Sequence, residues 1–255
     1  MDFEYFEKWA LKEFGINLSA YKPNQLHRRI SSLMSRVGVP NLDEYMVLLK
    51  KDSAQRQRFL DFITINVTEF FRNPEIFEEL SEKLQTELIP KNRSLKIWSA
   101  ACSIGAEPYS IAILLNEIDP NGRHSIIATD IDSTILARAE QGIYDATDIK
   151  NVKPQYLNKY FTKQENKYKV DEKLKKMVKF KKHDLILDSY EKEFDLIVCR
   201  NVVIYFNQDV KNAIYTKFQN SLKKGGMLFV GATESIYNYK DFNFEKASTF
   251  MYRKI

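Results

Sequence analysis

The chain has 255 residues, enough for one sizeable core and a smaller accessory domain. Apolar residues make up 44% and charged residues 29%, which is ordinary for a globular protein, and no apolar run reaches the roughly 20 residues that span a membrane. The net charge of +5 arises from 39 basic and 34 acidic residues that are interspersed, so the total does not indicate a nucleic-acid-binding protein.

The amino terminus and the cysteines indicate the compartment. Met1 is followed by Asp2, Glu4 and Glu7 rather than by a basic and then apolar stretch, so the sequence shows no secretory signal and we expect a cytoplasmic protein. Two cysteines are too few for a disulfide framework, and neither lies at the spacing of a zinc site. We therefore expect free thiols and no bound metal.

Helical periodicity dominates residues 1–90. Apolar side chains recur three and four positions apart over residues 3–14 and 26–37, and Gly15 and Gly38 separate these segments. Strand patterns are scarce in this part of the chain. We therefore predict an N-terminal all-α domain with its linker over residues 1–90.

From residue 95 onward, short apolar runs alternate with amphipathic segments. The predicted strands lie at about residues 95–100, 126–129, 178–182, 194–199 and 227–231. The predicted helices between them lie at about residues 107–118, 132–141 and 209–222. This alternation predicts an α/β domain over residues 91–255 with a Rossmann-like, doubly wound, mostly parallel sheet, whose ligand binds beyond the carboxyl ends of the strands.

Two segments depart from the alternation. Residues 241–255 leave no room for a crossover helix, so their two apolar runs should pair antiparallel at one edge of the sheet. Residues 151–178 contain a lysine-rich, turn-like stretch, which we interpret as a small β-hairpin insertion.

Two acidic residues follow the first two predicted strands. Glu107 lies in WSAACSIGAEPYS, where a strand passes through small residues into a helix. Its carboxylate either stabilises the helix through the macrodipole or accepts hydrogen bonds from amines or hydroxyls of a ligand. Asp130 ends the next strand, about 25 residues after Gly105, where a carboxylate can bind ribose hydroxyls. An N-cap role for Asp130 or Asp132 is the alternative.

Two further motifs place polar residues beside aromatic ones. In CRNVVIYF, Asn201 follows an apolar strand and offers hydrogen-bond groups at the pocket rim, although it equally suits a turn, and Tyr205 equally suits a core. In INVTEFFRNP, at the junction of the two predicted domains, Asn66, Thr68 and Arg72 suit a lid. A plain linker that packs Phe70 and Phe71 between the domains is the competing interpretation of that segment.

Together with LKKGGMLFVGATE, these motifs resemble the CheR-type chemotaxis receptor methyltransferases, in the family's order and spacing and over nearly the whole chain. The resemblance implies a protein-glutamate O-methyltransferase that uses S-adenosylmethionine and releases S-adenosylhomocysteine. One departure is visible, because the family usually has paired acidic residues before the proline and this chain has Ala106 and Glu107.

The resemblance also implies roles for individual residues. Asn66, Thr68 and Arg72 would close over the cofactor, and Glu107 would meet its methionyl amine. Asp130 would bind the ribose, Asp184 and Leu185 would flank the adenine, and Asn201 and Val202 would complete the pocket wall. Asp184 stands where the family often has asparagine. Tyr205 would lie close to the transferring methyl group, so Tyr205 and Arg72 are the residues that we expect at the reaction centre.

Partner choice is expected to depend on the helical domain. Arg28, Arg29 and Arg36 cluster on a predicted helix from about residue 23 to 37, and a basic helix is complementary to the acidic methylation helices in the cytoplasmic region of chemotaxis receptors. A solvated charged face is the alternative. The lysine-rich insertion matches the family's small subdomain, which in some members binds a receptor tail by strand addition.

Two other functions share features of this pattern. A nucleic-acid methyltransferase that modifies an exocyclic amine would carry an Asp/Asn-Pro-Pro-Tyr turn where residues 199–202 stand, and this turn is absent from the sequence. We therefore expect no nucleic-acid partner, and the lack of a long apolar run leads us to expect no membrane insertion. A non-catalytic S-adenosylmethionine-binding sensor or interaction module remains the alternative function.

Overall fold

The structure, a computed structural model, describes residues 2–64 and 67–255 and divides into two compact units. The described residues up to Thr64, together with Tyr205–Ala213, form the first unit. The second unit consists of Val67–Ile204 and Ile214–Ile255. Asn66, which we predicted as a lid residue, lies outside the described residues.

Among its described residues, the first unit contains four complete helices. They are α1 (Phe3–Phe14), α2 (Pro23–Val37), α3 (Leu42–Lys51) and α4 (Ser53–Thr64), with a short 3₁₀ turn at Leu18–Ala20. Gly15 and Gly38 adopt left-handed conformations at the ends of α1 and α2, which few other residues do without strain. The apolar faces of the helices meet around Phe6, whose ring packs edge-on against Phe59, and both rings are fully buried.

A second stretch of chain completes this unit. Tyr21 and Phe206 form an isolated antiparallel bridge, and the backbone N–H of Lys22 donates to the carbonyl of Tyr205 at 2.9 Å. The N–H of Asn207 donates to the carbonyl of Ala20, also at 2.9 Å. These backbone bonds hold residues 205–207 beside the turn that precedes α2.

The second unit is built on a seven-stranded sheet of order β6-β2-β1-β7-β8-β10-β9. Its strands are β1 (Lys96–Ala100), β2 (Ser125–Asp130), β6 (Val178–Lys182), β7 (Phe194–Cys199), β8 (Leu222–Val230), β9 (Phe244–Lys246) and β10 (Met251–Lys254). The first five pair in parallel, and β9 and β10 form an antiparallel edge. The predicted α/β class, mostly parallel sheet and antiparallel edge are confirmed.

The remaining helices precede these strands or lie between them along the chain. They are α5 (Pro74–Lys83), which continues through one π turn (Leu84–Leu88) into α6 (Ile89–Lys91), then α7 (Ala106–Ile118), α8 (Ser133–Gln141), α9 (Pro154–Tyr160), α10 (Glu172–Lys175) and α11 (Gln208–Ser221). Helix α7 is buried on nearly all sides, which explains why its apolar residues show little periodicity.

A second, smaller sheet lies outside the main one. Strands β3 (Ile143–Asp145), β4 (Phe161–Gln164) and β5 (Lys167–Val170) pair antiparallel in the order β3-β5-β4. The β4–β5 hairpin falls within residues 151–178, and β3 precedes that range. In the described part of the chain, no helix is both long and apolar enough to cross a bilayer.

Candidate functional site

The order of the parallel strands reverses beside β1. The chain proceeds from β1 to β2 and β6 on one side, and to β7 and β8 on the other. In this register Ala100 at the end of β1 lies between Thr129 on β2 and Cys199 on β7. Ligands of doubly wound sheets bind at such a switch point, beyond the carboxyl ends of the strands.

The loops that leave these strand ends have unusual backbone conformations. Ala101 and Ser103, which follow β1, have φ of 60° and 50°, and Asn201, which follows β7, has φ of 60°. Left-handed conformations of residues other than glycine are uncommon, and they concentrate where a site requires a particular backbone path. The strained positions therefore mark the same edge that the strand order indicates.

Glu107 lies in the first turn of α7, which begins after Gly105 in a left-handed conformation. Its carboxylate is buried, and Oε1 accepts a hydrogen bond of 2.8 Å from the hydroxyl of Ser99 on β1. Burial raises the pKa of Glu107, and the nearby Arg200 guanidinium opposes this rise. The side chain is thus a desolvated acid with acceptor capacity left over.

Asp130 and Asp132 have separate functions in the structure. Oδ2 of Asp130 accepts from the N–H of Ser103 at 2.8 Å, and Oδ1 accepts from the N–H of Asp132 at 3.1 Å, so Asp130 holds the loop after β1. Asp132 is the N-cap of α8 and accepts from the N–H groups of Thr134 and Ile135. Of the two residues, Asp132 therefore takes the capping role that the sequence left open.

The Asp130 carboxylate is buried, and burial raises its pKa although the backbone N–H groups oppose the rise. A carboxylate has about four acceptor positions, and the hydrogen bonds from Ser103 and Asp132 use two of them. Asp130 can therefore accept further hydrogen bonds from hydroxyl groups of a ligand.

Arg200 is a residue that the sequence reasoning missed. Its buried guanidinium donates through Nη2 to the carbonyl of Arg72 at 2.8 Å and to Oδ1 of Asn73 at 3.2 Å, while Nη1 lies 3.7 Å from Oε2 of Glu107. It also lies 5.1 and 5.3 Å from the ring centres of Phe77 and Phe229. Arg200 lies within CRNVVIYF, but from that motif we predicted a role for Asn201 and none for Arg200.

The segment from Val67 to Asn73 begins the second unit. Phe70 and Phe71 are buried in its core, and the N–H of Phe71 donates to Oγ of Ser110 on α7 at 3.0 Å. Arg72 is half-buried, and its Nη1 donates to the carbonyl of Val67 at 2.9 Å. Thr68, which we predicted beside it, is half-buried in the same segment.

Asn201 and Val202 are held by Glu234, a second residue that the sequence reasoning missed. The buried Glu234 carboxylate accepts from the N–H of Asn201 at 2.5 Å, of Val202 at 3.0 Å and of Gly231 at 2.9 Å. It therefore joins the loop after β7 to the end of β8. Its sequence signal was the glutamate that closes LKKGGMLFVGATE.

Asp184 and Leu185 follow β6. Oδ1 of Asp184 accepts from the N–H groups of Ile186 and Leu187 at 2.7 and 3.2 Å, so this carboxylate stabilises a local turn. Leu185 is buried, and its carbonyl accepts from the hydroxyl of Tyr190 at 2.6 Å. The structure thus brings apolar Leu185 to the end of β6, while one oxygen of Asp184 is engaged by the turn.

The remaining predicted residues lie in the first unit. Tyr205 and Arg29 line one depression on it, together with Tyr21 and Ile63. The Arg29 guanidinium donates to the carbonyl of Phe62 and stacks on its ring, and burial lowers the pKa of Arg29.

Arg28 and Arg36 differ from Arg29 in exposure. Both side chains are exposed on α2, although the Arg36 guanidinium also lies 5.4 Å from the centre of the Phe62 ring. The three arginines that we predicted as one group therefore comprise two exposed residues and one that is bound to α4.

Sequence comparisons connect this arrangement to known proteins. The family model described as CheR methyltransferase, SAM binding domain, matches residues 66–251, and the one described as CheR methyltransferase, all-alpha domain, matches residues 1–64. A chemotaxis protein methyltransferase from Listeria monocytogenes is 38% identical over 254 residues, which cover 99% of this chain and 97% of the relative. Proteins of the same name from Borreliella burgdorferi and Salmonella typhimurium are 39% and 34% identical, with 95% and 88% of this chain and 91% and 80% of the relatives covered.

Proposed function

The chain belongs to the CheR methyltransferase family and uses S-adenosylmethionine, and from this premise we propose that it methylates glutamate side chains of chemotaxis receptors in the cytoplasm. The products would be glutamate methyl esters and S-adenosylhomocysteine. The single observation that carries the proposal is the pair of buried carboxylates, Glu107 and Asp130, at the switch point of the sheet.

The residues present fit this cofactor. Glu107 and Asp130 are desolvated acids with raised pKa values, and each keeps acceptor positions beyond the hydrogen bonds described above. Burying a charged group is costly unless hydrogen-bond or charge partners compensate it, and a ligand can supply further partners. An ammonium group suits Glu107, and a pair of hydroxyls suits Asp130. S-adenosylmethionine carries both, and when bound it supplies a methyl group activated by a sulfonium charge.

We assign the other contacts by family membership. Arg72 and Thr68, with Asn66, would bind the methionyl end, and Leu185, Asn201 and Val202 would line the adenine side. Arg200 supports this arrangement, because one guanidinium fixes the Arg72 backbone and lies beside Glu107. Asp184 is the weakest member of the set, since one of its oxygens already serves the turn at residues 184–187.

The proposed reaction requires little acid–base chemistry from the protein. A glutamate side chain has a pKa near 4.3 in water, so the attacking carboxylate is already ionised at neutral pH. Attack on a methylsulfonium joins an anion to a cation, so their charges neutralise and removal of water favours the reaction. Tyr205 and Arg72 would therefore act by positioning, which can contribute on the order of 7 to 11 kcal/mol.

The exposed arginines of α2 are the proposed contact for the receptor. The side chains of Arg28 and Arg36 are exposed, and their positive charge is complementary to the acidic helices that such receptors present. Arg29 would support this surface indirectly, because its guanidinium holds α2 to α4 through Phe62.

Methyl transfer to receptors tests the proposal directly. The protein is incubated with methyl-labelled S-adenosylmethionine and receptor-containing membranes, and peptides are searched by mass spectrometry for base-labile methyl esters. We expect esters on glutamate residues of the receptor's cytoplasmic helices. Glu107→Gln protein, with weakened cofactor binding, is the negative control.

Cofactor binding without any ester on glutamate would instead support a sensor that binds S-adenosylmethionine without catalysis. Label that is stable to base, on another residue type, would assign a different methyl acceptor. Calorimetry with S-adenosylhomocysteine, run on the same preparation, separates both outcomes from a loss of cofactor binding.

A further inference from the structure

We propose that Glu234 is a positioning residue for the cofactor, because its carboxylate sets the path of the loop that carries Asn201 and Val202. This inference rests on the proposed function in one respect, namely that this loop contacts the cofactor. Glu234 itself would act through the backbone.

The hydrogen bonds of Glu234 come from two strand ends. Oε2 accepts from the N–H of Asn201 at 2.5 Å and from the N–H of Gly231 at 2.9 Å, and Oε1 accepts from the N–H of Val202 at 3.0 Å. Two consecutive N–H groups that point at one carboxylate require a tight turn at Asn201, which has φ of 60°. The anion therefore stabilises a backbone conformation that is otherwise unfavourable.

The surroundings of Glu234 make this arrangement selective for glutamate. Its side chain is 4% exposed, so water cannot replace a missing partner. A glutamine would present its one oxygen either to Val202 or to the Asn201 and Gly231 pair, and its amino group would face an N–H donor at the other position. Each donor left unsatisfied in a buried site is costly.

Gly231 provides a second sign that the position is shaped around Glu234. A Cβ atom at residue 231 would overlap with Oε2 of Glu234 and would approach the backbone nitrogen of Asn201 to 3.2 Å. Only glycine allows the carboxylate to reach between the ends of β7 and β8. Gly231→Ala should therefore displace the carboxylate while leaving its charge in place.

The inference is tested by isothermal titration calorimetry with S-adenosylhomocysteine at a temperature well below unfolding. We expect Glu234→Gln to weaken binding by at least about tenfold, equivalent to about 1.4 kcal/mol. Glu193→Gln is the matched control, since Glu193 is exposed at the opposite end of β7 and should bind as the wild type does. Gly231→Ala should also weaken binding, although it retains the glutamate.

Kinetics distinguish positioning from a purely structural role. If Glu234 only stabilises the fold, Glu234→Gln will lower Tm while folded protein keeps the wild-type Kd and KM for S-adenosylmethionine; that result would overturn the inference. If Glu234→Gln does not fold, the Gly231→Ala titration decides, with a Kd within twofold of the wild type counting against the inference. Wild-type protein that binds S-adenosylhomocysteine but forms no glutamate ester refutes the proposed function alone, because the calorimetric comparison is unaffected.

Discussion

Nη1 of Arg200 lies 3.7 Å from Oε2 of Glu107, and both side chains are buried. Burial lowers the pKa of Arg200 and raises that of Glu107, so each group is desolvated and each depends on the other's charge. Because the same guanidinium also binds the carbonyl of Arg72, the first turn of α7 and the segment before α5 are linked through one side chain.

Replacing Arg200 should therefore affect both stability and binding. We expect Arg200→Met to lower the free energy of unfolding by about 3 to 5 kcal/mol, because it leaves the Glu107 carboxylate buried without a cation. Urea denaturation measures the loss, and calorimetry with S-adenosylhomocysteine should show weaker binding. Arg123→Met, at an exposed arginine, should change stability by less than about 0.5 kcal/mol. An Arg200→Met protein as stable as this control would contradict the assignment.

The stabilising effect of the cofactor should depend on pH. Burial raises the pKa of Glu107 and of Asp130, so the folded chain holds more protons than the unfolded chain between the ordinary and the raised values. The free energy of unfolding contributed by these groups therefore falls as the pH rises through that interval. At pH values above that interval, ligand groups that pair with the ionised carboxylates should restore the lost free energy of unfolding.

We therefore expect the rise in Tm with saturating S-adenosylhomocysteine to be larger at about pH 8 than at about pH 5. Differential scanning fluorimetry with and without the ligand measures this difference. Glu107→Gln should reduce both the rise and its dependence on pH. A ligand-induced shift that is the same at both values would show that neither carboxylate pairs with the ligand.

Asp130 and Asp132 should respond differently to alanine. Asp132→Ala removes the N-cap of α8 and should lower stability by about 1 kcal/mol, with little effect on cofactor binding. Asp132→Asn can still cap the helix and should retain most of that stability. Asp130→Ala should weaken cofactor binding strongly as well as destabilising the loop after β1. Equal loss of binding in both alanine variants would show that the two carboxylates do not have separate roles.

The sequence predicted the elements that local pattern determines. The bounds of α2, α7 and β7 were predicted to within a residue or two, because apolar period and glycine positions report on the chain's immediate neighbourhood. The positions of Glu107 and Asp130, after the first strand and at the end of the second, were predicted from the alternation of strands and helices. What such patterns specify is the edge of the sheet where a site forms.

Contacts between distant residues were beyond the same reasoning. Glu234 binds backbone groups about thirty positions earlier, and nothing in the local sequence indicates that its side chain turns inward. Arg200 and Asn201 are neighbours in one motif, yet only the three-dimensional arrangement shows that Arg200 faces Glu107. Likewise, Arg28 and Arg29 look equivalent in sequence, but successive helical residues point about 100° apart.

This difference between Arg28 and Arg29 yields a prediction about receptor recognition. Reversing the two exposed charges in Arg28→Glu/Arg36→Glu should raise KM for receptor by about five- to tenfold and weaken its dependence on ionic strength, while the Kd for S-adenosylhomocysteine stays unchanged. Methyl ester formation is measured across receptor concentrations at low and moderate salt.

Lys91→Glu/Lys224→Glu is the matched control for that experiment. Both lysines are exposed in the second unit, so the control makes the same change in net charge at other positions. If the two double variants raise KM equally, the effect belongs to total charge and α2 does not bind the receptor. A rise confined to Arg28→Glu/Arg36→Glu, which shrinks as salt is added, is what local complementarity between α2 and an acidic helix requires.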